Sequence, residues 1–407
     1  MKKILLMTDY YYPYPSANGI CINELARGLK KIGYEVHVLS YKRQMDNTLD
    51  VHEGVYVHHV KPRFFFKLKE FILRNVKQEK QSVALKMLYM LQKIKKIMFF
   101  PWYPMTSPVF MFRYYRCALK ICNEYGINKV VGQYVPFEAV TAAAMIKMKN
   151  RKIKSILYVV DTFTNNYNAK KYPILEELGW KWEKRLYSKV DKVFNMQFHK
   201  RHHKQERYDL YREKMDYLDI PFLNPVSIPE VSKSNPGVKR IVYAGSLNIN
   251  DRNPERLCEI LHELNREKKC VEIHFYGTYY HELLKQSYSN STAFFHGSIS
   301  RSEVRREMAK ADYLLNFSGE GMVPSKLFDY ISTGRSILHL RSHENDGAIE
   351  YLMKYGNSNI VDYQAKSLTN DIRKILAKEA VILKYEKVVD MFEENTPHYS
   401  AVKIDEV

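Results

Sequence analysis

A short segment in the second half of the chain, VPSKLFDYISTG, combines residue types that bind phosphate. Pro324 suits the first turn of a helix, and Gly334 suits the position just after its end. Ser325 and Lys326 would then lie at the positive end of this helix, where free amide groups, the helix dipole and an ammonium group attract one anion. The competing interpretation is a capped surface helix with a solvated lysine, and the segment on its own favours it.

Asp329 lies one helical turn beyond Lys326 in the same segment. A carboxylate in such a position accepts hydrogen bonds from the hydroxyl groups of a ribose. A nucleotide-sugar carries a diphosphate, a ribose and a base, so it would use the cation, the helix end and the carboxylate together. The segment is therefore a candidate nucleotide-sugar site if the surrounding elements form a suitable fold.

Most of the chain alternates short apolar runs with amphipathic helical stretches, a pattern typical of parallel sheets covered by helices. In the first half the apolar runs predict strands at residues 3–8, 35–40, 55–60, 129–133, 155–161 and 192–196. In the second half they predict strands at residues 240–244, 271–276, 293–296, 313–317, 336–340 and 359–361. The helix between the first two strands has apolar residues at helical spacing, which are Ile22, Leu25, Ala26 and Leu29.

The length of 407 residues exceeds the usual size of one hydrophobic core and predicts two domains. Residues 221–237 contain several prolines and the polar stretch SKSNPG, which favours a linker. We therefore place an N-terminal domain at residues 1–225 and a C-terminal domain at residues 226–385. Residues 371–407 are predicted to be helical.

Composition limits the class of protein and its location. The formal net charge of +19 indicates an anionic partner, such as nucleic acid, anionic lipid or a phosphorylated substrate. The first apolar run is too short for a signal peptide, and no run is long enough to span a bilayer, so we expect a cytoplasmic protein. The five cysteines lack the spacing of a metal site, which suits a reducing compartment.

Residues 62–104 differ from the rest of the chain. The stretches PRFFFKLKEFILRNVKQEK and KMLYMLQKIKKIMFFPWYP mix clustered aromatic residues with lysine and arginine. Helices of this composition can lie at the boundary of an anionic membrane, so one interpretation is peripheral contact with the inner face of the cell membrane. The other is a helix pair whose apolar faces cover the sheet while its lysines face water, and the sequence leaves both open.

Four blocks of the sequence occur in the order and spacing of one known family. They are YPSANGICINELARGLKKIGYEVHVLS, RIVYAGSLNINDRNPERL, FFHGSISRSEVRREMAKADYLLNFS and VPSKLFDYISTGRSILHL. Together they resemble GT-B glycosyltransferases, in particular the retaining family 4 enzymes of bacterial polysaccharide and glycolipid biosynthesis, whose block P-x-K-hydrophobic-x-E-Y binds the donor. The resemblance implies two Rossmann-like, doubly wound parallel-sheet domains that face a central cleft. It also implies a C-terminal helix, within residues 386–407, that packs on the N-terminal, acceptor-binding domain, and no metal or other cofactor.

The resemblance implies seven donor-binding residues, which are Asn18, Gly19, Gly245, Arg252, Ser325, Lys326 and Asp329. Gly19 would let the donor approach the backbone closely, although a plain turn also explains it. The family often has an arginine after the glycine of the YAG block, but Ser246 stands here. The cations on the donor diphosphate would therefore be Arg252 and Lys326, whereas Arg252 alone would suggest an ordinary surface arginine.

Two acidic residues are implied to be catalytic. Asp161 ends the run SILYVVD and would orient the acceptor hydroxyl or the donor sugar, with a helix or turn cap as the alternative. Glu320 would lie near the transferred sugar, but eight residues separate it from Asp329, whereas seven commonly separate the paired glutamates of the family. Val160 stands where some members have a histidine, so the sequence identifies no general base.

The cluster HKRHH at residues 199–203 contains three histidines. Its neighbours are basic and no carboxylate is close in sequence, so we predict a solvated or phosphate-facing loop rather than a metal site.

The sequence therefore predicts a retaining, hexosyltransferase-type enzyme. It would move a sugar from a UDP- or GDP-sugar to a hydroxyl group of a glycan or lipid-linked glycan during assembly of a cell-surface polysaccharide. The alternatives are a related nucleotide-sugar epimerase or hydrolase, an inactive scaffold of the same fold, and a nucleic-acid-binding protein. Charge alone suggests the last of these, and no nucleic-acid-binding motif is evident, so we expect no nucleic-acid partner.

Overall fold

The computed structural model describes residues 2–13, 15–42, 49–105, 107–165, 169, 171–225, 237–248, 252–278, 292–317 and 323–407. The chain forms two compact units. Unit 1 consists of Met1–Pro221 and Pro397–Val407, and unit 2 consists of Phe222–Thr396. Each unit is built around a sheet of its own.

Among the described residues, unit 1 contains an eight-stranded sheet. Its strands are β1 (Lys2–Met7), β2 (Tyr34–Tyr41), β3 (Leu49–His52), β4 (Val55–Val60), β5 (Lys129–Tyr134), β6 (Lys154–Val159), β7 (Lys192–Asn195) and β8 (Met215–Tyr217). Their spatial order is β3-β4-β2-β1-β5-β6-β7-β8, and only β3 pairs antiparallel within it. The run from Ile4 to Met7 is fully buried, as expected for a central strand covered by helices on both faces.

The helices of unit 1 in the described residues are α1 (Ala17–Lys31), α2 (Phe64–Asn75), α3 (Gln78–Met98), α4 (Pro108–Tyr125), α5 (Phe137–Lys149), α6 (Pro173–Tyr187) and α13 (Pro397–Asp405). The four apolar residues predicted to form the inner face of α1 are all fully buried. Helix α13 packs on α1, where Gly28 lies against the backbone of Pro397. The C-terminal helix therefore belongs to unit 1.

Unit 2 contains a six-stranded parallel sheet in the described residues. Its strands are β9 (Lys239–Ala244), β10 (Val271–Tyr276), β11 (Ala293–Gly297), β12 (Tyr313–Phe317), β13 (Ser336–Arg341) and β14 (Ser358–Asp362). Its helices are α7 (Glu255–Leu264), α8 (Arg301–Ala309), α9 (Lys326–Ser332), α10 (Ala348–Tyr355), α11 (Leu368–Ala377) and α12 (Tyr385–Met391). The order β11-β10-β9-β12-β13-β14 is the doubly wound order of a Rossmann sheet, and its direction of winding reverses between β9 and β12.

The twelve predicted strands all occur, with ends within two residues of the prediction. The predicted α/β class with two doubly wound parallel sheets is confirmed. The short strands β3 and β8 were not predicted. Strand β3 leads into β4 through a two-residue turn, in which Glu53 and Gly54 both have positive φ. Most of the predicted linker, residues 226–236, lies outside the described residues.

Helices α2 and α3 form a hairpin that is largely separate from the hydrophobic core. All of their residues are described, and only Ile72 and Leu88 are buried. The helices pack on each other, because Gln81 donates to backbone carbonyls at the end of α2 and the Lys95 ammonium lies 5.4 Å from the centre of the Phe65 ring. Their other apolar side chains are wholly or partly exposed, so the interpretation of a sheet-covering pair is wrong.

Candidate functional site

The carboxyl end of β9 brings together three of the predicted donor-binding residues, Gly245, Arg252 and Lys326. The Lys326 ammonium donates a hydrogen bond of 2.7 Å to the Tyr243 hydroxyl, which donates to the Ser246 carbonyl at 2.9 Å. The Arg252 side chain lies close enough to the Tyr243 hydroxyl for its charge to act on the pKa of that group. This cation cluster lies where the winding of the sheet reverses, which is where open α/β sheets bind ligands.

Gly245 makes the close approach of these groups possible. Its φ of +145° falls in a region that favours glycine, and a Cβ there would lie 2.7 Å from the Lys326 nitrogen. The Gly245 amide donates to the Tyr276 carbonyl at 2.8 Å, which fixes the loop to the neighbouring strand β10. A side chain at this position would displace the ammonium group from the strand end.

Helix α9 presents Lys326 but differs in detail from the prediction. It begins at Lys326, so Pro324 precedes the helix instead of lying in its first turn. The Ser325 side chain makes no capping hydrogen bond. The helix is fixed to the sheet by Tyr330, whose hydroxyl accepts a 2.8 Å hydrogen bond from the Ala244 amide, and Gly334 follows its end at a φ of +69° as predicted.

The cation cluster has the electrostatics of an anion site. Burial is the main cause that lowers the pKa of Lys326 well below its ordinary value, and the positive charge of Arg252 lowers it further. Burial raises the pKa of Tyr243 to about 12, while the Arg252 charge acts in the opposite direction. No carboxylate among the described residues pairs with Lys326 or Arg252. A bound diphosphate would neutralise both cations.

The Asp329 carboxylate is bound by residues outside the cation cluster. Its carboxylate forms ion pairs with Arg301 at 3.0 Å and Arg305 at 2.9 Å, both on helix α8. The Arg301 guanidinium also lies 5.0 Å from the centre of the Phe222 ring. A ribose at Asp329 would therefore share the carboxylate with two arginines, and its binding there stays a prediction.

In unit 1, Asn18 and Gly19 lie in the first turn of α1. The Asn18 amide donates to the Val135 carbonyl at 3.1 Å. A Cβ at Gly19 would collide with the Tyr10 carbonyl oxygen, so the packing of α1 against the loop after β1 explains this glycine. The Gly19 amide donates to the Ser16 hydroxyl, which caps the helix. Donor binding by Asn18 and Gly19 remains a prediction.

Asp161 lies two residues beyond the end of β6 and is exposed, whereas the three loop residues after it are buried. Despite its exposure, its carboxyl group is close enough to the surrounding protein for desolvation to raise its pKa. The second predicted catalytic residue, Glu320, lies outside the described residues. The structure therefore describes one of the two candidates, and the catalytic role of both stays a prediction.

The loop that carries Asp161 is held by a buried carboxylate that the sequence did not reveal. Glu183 of α6 is fully buried and accepts hydrogen bonds from the Phe163 amide at 2.8 Å and from the Thr164 and Tyr208 hydroxyls. Burial raises the pKa of Glu183, and these hydrogen bonds act in the opposite direction. The residues next to Glu183 in α6 are charged, as in an ordinary exposed helix, so the sequence does not show that Glu183 is buried.

A separate pocket of about 350 Å³ lies within unit 1, at the carboxyl ends of four neighbouring strands. Asp9 follows β1, Tyr41 ends β2, Pro62 follows β4 and Tyr134 ends β5. Because β1 and β5 mark the reversal of winding in this sheet, the pocket occupies the usual ligand position of a doubly wound fold. Sequence patterns gave no indication of this pocket.

The pocket wall combines an ion pair with aromatic rings. The Arg63 guanidinium donates to the Glu138 carboxylate at 2.5 Å and to the Tyr41 hydroxyl at 3.1 Å, and that hydroxyl donates to Glu138 at 2.7 Å. Phe66 and Phe137 also line the pocket. Sugar rings suit such a wall, because their hydroxyl groups pair with charged side chains while their apolar faces pack on aromatic rings.

The prediction of a solvated or phosphate-facing loop at residues 199–203 is wrong for two of its histidines. His199 and His203 are 5% and 2% exposed. The His202 ring nitrogen lies 2.9 Å from the Thr164 hydroxyl and 3.0 Å from the Tyr208 hydroxyl. No group of three or more potential metal ligands is present among the described residues.

Acid should destabilise unit 1 through its buried histidines. Burial lowers the pKa of His203 to about 3, and neither of its ring nitrogens has a hydrogen-bond partner among the described residues. Between about pH 6.5 and pH 3 the unfolded chain binds a proton that the native histidine does not, so the free energy of unfolding falls as the pH falls. Carboxyl groups with a raised pKa, such as Glu183, act in the opposite direction.

The contribution of His203 can be isolated with His203→Phe, which keeps an aromatic ring but cannot titrate. From pH 7 to pH 4, we expect the native protein to lose on the order of 2–3 kcal/mol more unfolding free energy than the variant. Urea unfolding measures this difference by tryptophan fluorescence, because Trp102, Trp180 and Trp182 are the three tryptophans of the chain and all belong to unit 1. Equal pH dependence of the two proteins would contradict the prediction.

Comparison with known proteins supports the fold. No protein-family model matches the sequence, and no significant match occurs among curated proteins. Among solved structures, the chain is similar to sucrose-phosphate synthase from Thermosynechococcus elongatus, with a TM-score of 0.60, 12% identity and coverage of 100% of this chain and 94% of that one. A UDP-forming trehalose-phosphate synthase from Burkholderia xenovorans in complex with glucose-6-phosphate gives a TM-score of 0.58, 10% identity and coverage of 100% and 99%. The S. aureus MnaA structure with UDP gives a TM-score of 0.54, 13% identity and coverage of 100% of this chain and 95% of that one. The chain therefore has the GT-B fold.

Proposed function

We propose that this protein is a retaining glycosyltransferase that takes a sugar from a nucleotide-sugar, with UDP- or GDP-sugars as the expected donors. The observation that carries the proposal is the meeting of Lys326, Arg252 and Gly245 at the carboxyl end of β9, with no described carboxylate to neutralise the cations. The UDP-forming synthase and the UDP-bound structure among the similar folds support a nucleoside diphosphate as the ligand.

Departure of the diphosphate is the step that this cluster would assist. Breaking the glycosidic bond to phosphate transfers negative charge to the leaving oxygen. The Lys326 ammonium and the Arg252 guanidinium would stabilise that charge. The acceptor hydroxyl would attack the anomeric carbon from the face that the diphosphate leaves, and its proton would pass to the leaving phosphate oxygen. Two side-chain cations would supply this stabilisation, so we propose that transfer needs no metal or other cofactor.

The remaining predicted residues complete the proposed site. Ser325 would add polar contacts to the phosphates, and Asp329 would bind the ribose beside its arginine partners. Asp161 would orient the acceptor hydroxyl or the donor sugar, on a loop that Glu183 holds in place. We also propose that Glu320 lies near the transferred sugar.

The unit 1 pocket is our candidate for the acceptor sugar. Its size suits one sugar ring, and its wall combines the Arg63–Glu138 ion pair with aromatic side chains. We propose a glycan or lipid-linked glycan acceptor, used in cell-surface polysaccharide assembly by a peripheral protein on the cytoplasmic side of the membrane. Arg63 precedes α2 and Phe66 lies in its first turn, so the α2–α3 hairpin supplies part of the pocket wall.

A donor screen tests the proposal. The protein is mixed with UDP-, GDP- and ADP-sugars labelled in the sugar, with and without lipid-linked acceptors, and the products are separated. We expect one donor to release its nucleoside diphosphate only when an acceptor is present, with the label in the acceptor and the anomeric configuration retained. A labelled epimer or free sugar formed without acceptor would indicate an epimerase or hydrolase, and donor binding without turnover would indicate an inactive scaffold.

A further inference from the structure

We infer that the exposed face of the α2–α3 hairpin binds the surface of an anionic phospholipid bilayer. The inference deepens the proposed function, because it assigns the proposed peripheral location to named residues and to one lipid chemistry. None of the described helices is long and apolar enough to span a bilayer, so the contact would be interfacial.

The main observation is a stripe of exposed apolar residues along α3. The stripe consists of Val83, Met87, Met90, Ile94 and Ile97, spaced alternately by four and three residues, so they share one face of the helix. Each is at least 46% exposed, and Ile97 is 74% exposed. A continuous apolar face of this length on a folded protein indicates a binding surface rather than a solvated one.

Helix α2 adds a second amphipathic face. Phe64 and Phe71 are exposed two turns apart, and the exposed cations Lys67 and Arg74 lie at matching positions on the same face. Exposed aromatic residues also follow α3, where Trp102 is 52% exposed. Aromatic and cationic side chains together suit the headgroup region, since the rings enter the acyl boundary and the cations reach phosphate.

The net positive charge of the hairpin favours an anionic partner. Residues 62–104 contain ten lysines or arginines and two glutamates. One of the glutamates, Glu70, is paired with Arg74 at 3.1 Å. The lysines nearest the stripe are Lys80 on one edge and Lys86 and Lys93 on the other, which also carries Glu79 in the first turn of α3. An anionic bilayer matches both properties of this surface, because it offers negative headgroups above an apolar interior.

A second copy of the chain fits this surface less well. The stripe has the spacing of a coiled-coil seam, in which oppositely charged residues normally flank the apolar positions. Here Lys86 and Lys93 flank one edge, while Leu91 and Met98 flank the other. A parallel pair of such helices would place Lys86 and Lys93 against the apolar side chains of the other edge. The one acidic residue on the lysine edge is Glu79, in the first turn of α3.

Co-sedimentation with vesicles tests the inference on the full chain. One vesicle contains phosphatidylcholine alone, and the other contains equal parts of phosphatidylcholine and phosphatidylglycerol. We expect binding only to the anionic vesicles. The triple variant Lys80→Gln, Lys86→Gln, Lys93→Gln should lower the partition coefficient roughly a hundredfold, since each cation near the surface contributes about 1 kcal/mol, or about a factor of five. The matched variant Lys149→Gln, Lys152→Gln, Lys189→Gln has the same net charge and should bind normally.

A second pair of variants tests the apolar stripe. Ile94→Ser with Ile97→Ser should lose vesicle binding, whereas Met353→Ser with Val381→Ser, which alters equally exposed apolar residues of unit 2, should retain it. The inference is overturned if the native protein does not bind anionic vesicles, or if the lysine and stripe variants bind them as well as their controls do. It is also overturned if the native protein forms a dimer without lipid that the stripe variant loses. The thermal shift with UDP, measured on the same samples, reports on the donor site separately.

Discussion

Lys326→Ala should abolish the stabilisation of the protein by nucleoside diphosphates and lower kcat/KM for the sugar donor by roughly a thousandfold, or about 4 kcal/mol. The native ammonium donates to the Tyr243 hydroxyl at the carboxyl end of β9, and alanine removes the charge while leaving Tyr243 in place. Thermal shift with UDP and GDP measures the first effect, and initial rates with the donor identified in the screen measure the second.

The control for this substitution is Lys374→Ala, which removes an exposed lysine of α11 in the same unit. It should bind and turn over the donor as the native protein does. The melting temperature without ligand should change little in either variant, because Lys326 forms no ion pair with a described carboxylate. A normal nucleotide response in Lys326→Ala would refute the proposed diphosphate site.

Gly28→Ala should destabilise unit 1 by about 3 kcal/mol, although alanine normally stabilises a helix relative to glycine. A Cβ at Gly28 would collide with the Pro397 carbonyl and press on Ala401, so α13 would have to move away from α1. The damage should extend beyond this contact, because the same C-terminal helix binds Lys129 through its last carbonyls and Lys2 through Asp405.

Urea unfolding followed by tryptophan fluorescence measures this loss, since the tryptophans report on unit 1. Lys31→Ala, at the exposed end of the same helix, is the control and should change the unfolding free energy by less than about 0.5 kcal/mol. Equal stability of Gly28→Ala and the native protein would show that α13 does not pack closely on α1.

Local patterns predicted the sheets well because the parallel strands are buried on both faces. A continuous apolar run such as ILLM in β1 is typical of a strand buried on both faces. The predicted inner face of α1 is also buried. The strands that were missed, β3 and β8, are short and lie at the edges of the sheet. Their pairing depends on neighbours that a single-sequence pattern does not identify.

Site residues could be predicted only where a short local segment of the sequence contains them. Lys326 and Gly245 were identified from local blocks, and the fold then supplied Tyr243 as the partner that holds the ammonium. The arginine partners of Asp329 come from another helix, more than twenty residues away in sequence, so the ion pairs could not be predicted from local patterns. The same reason applies to Glu183, whose burial depends on contacts with distant hydroxyl groups.

The most direct test of the central claim is the proton balance of UDP binding, measured by titration calorimetry near about pH 8 in buffers of different ionisation enthalpy. In the free protein the pKa of Lys326 is lowered by burial and by Arg252, and a bound diphosphate would raise it. We therefore predict net proton uptake on binding, weaker binding as the pH rises, and loss of both uptake and affinity in Lys326→Met. Binding of UDP without proton uptake, and with equal affinity in the variant, would contradict a diphosphate site at Lys326.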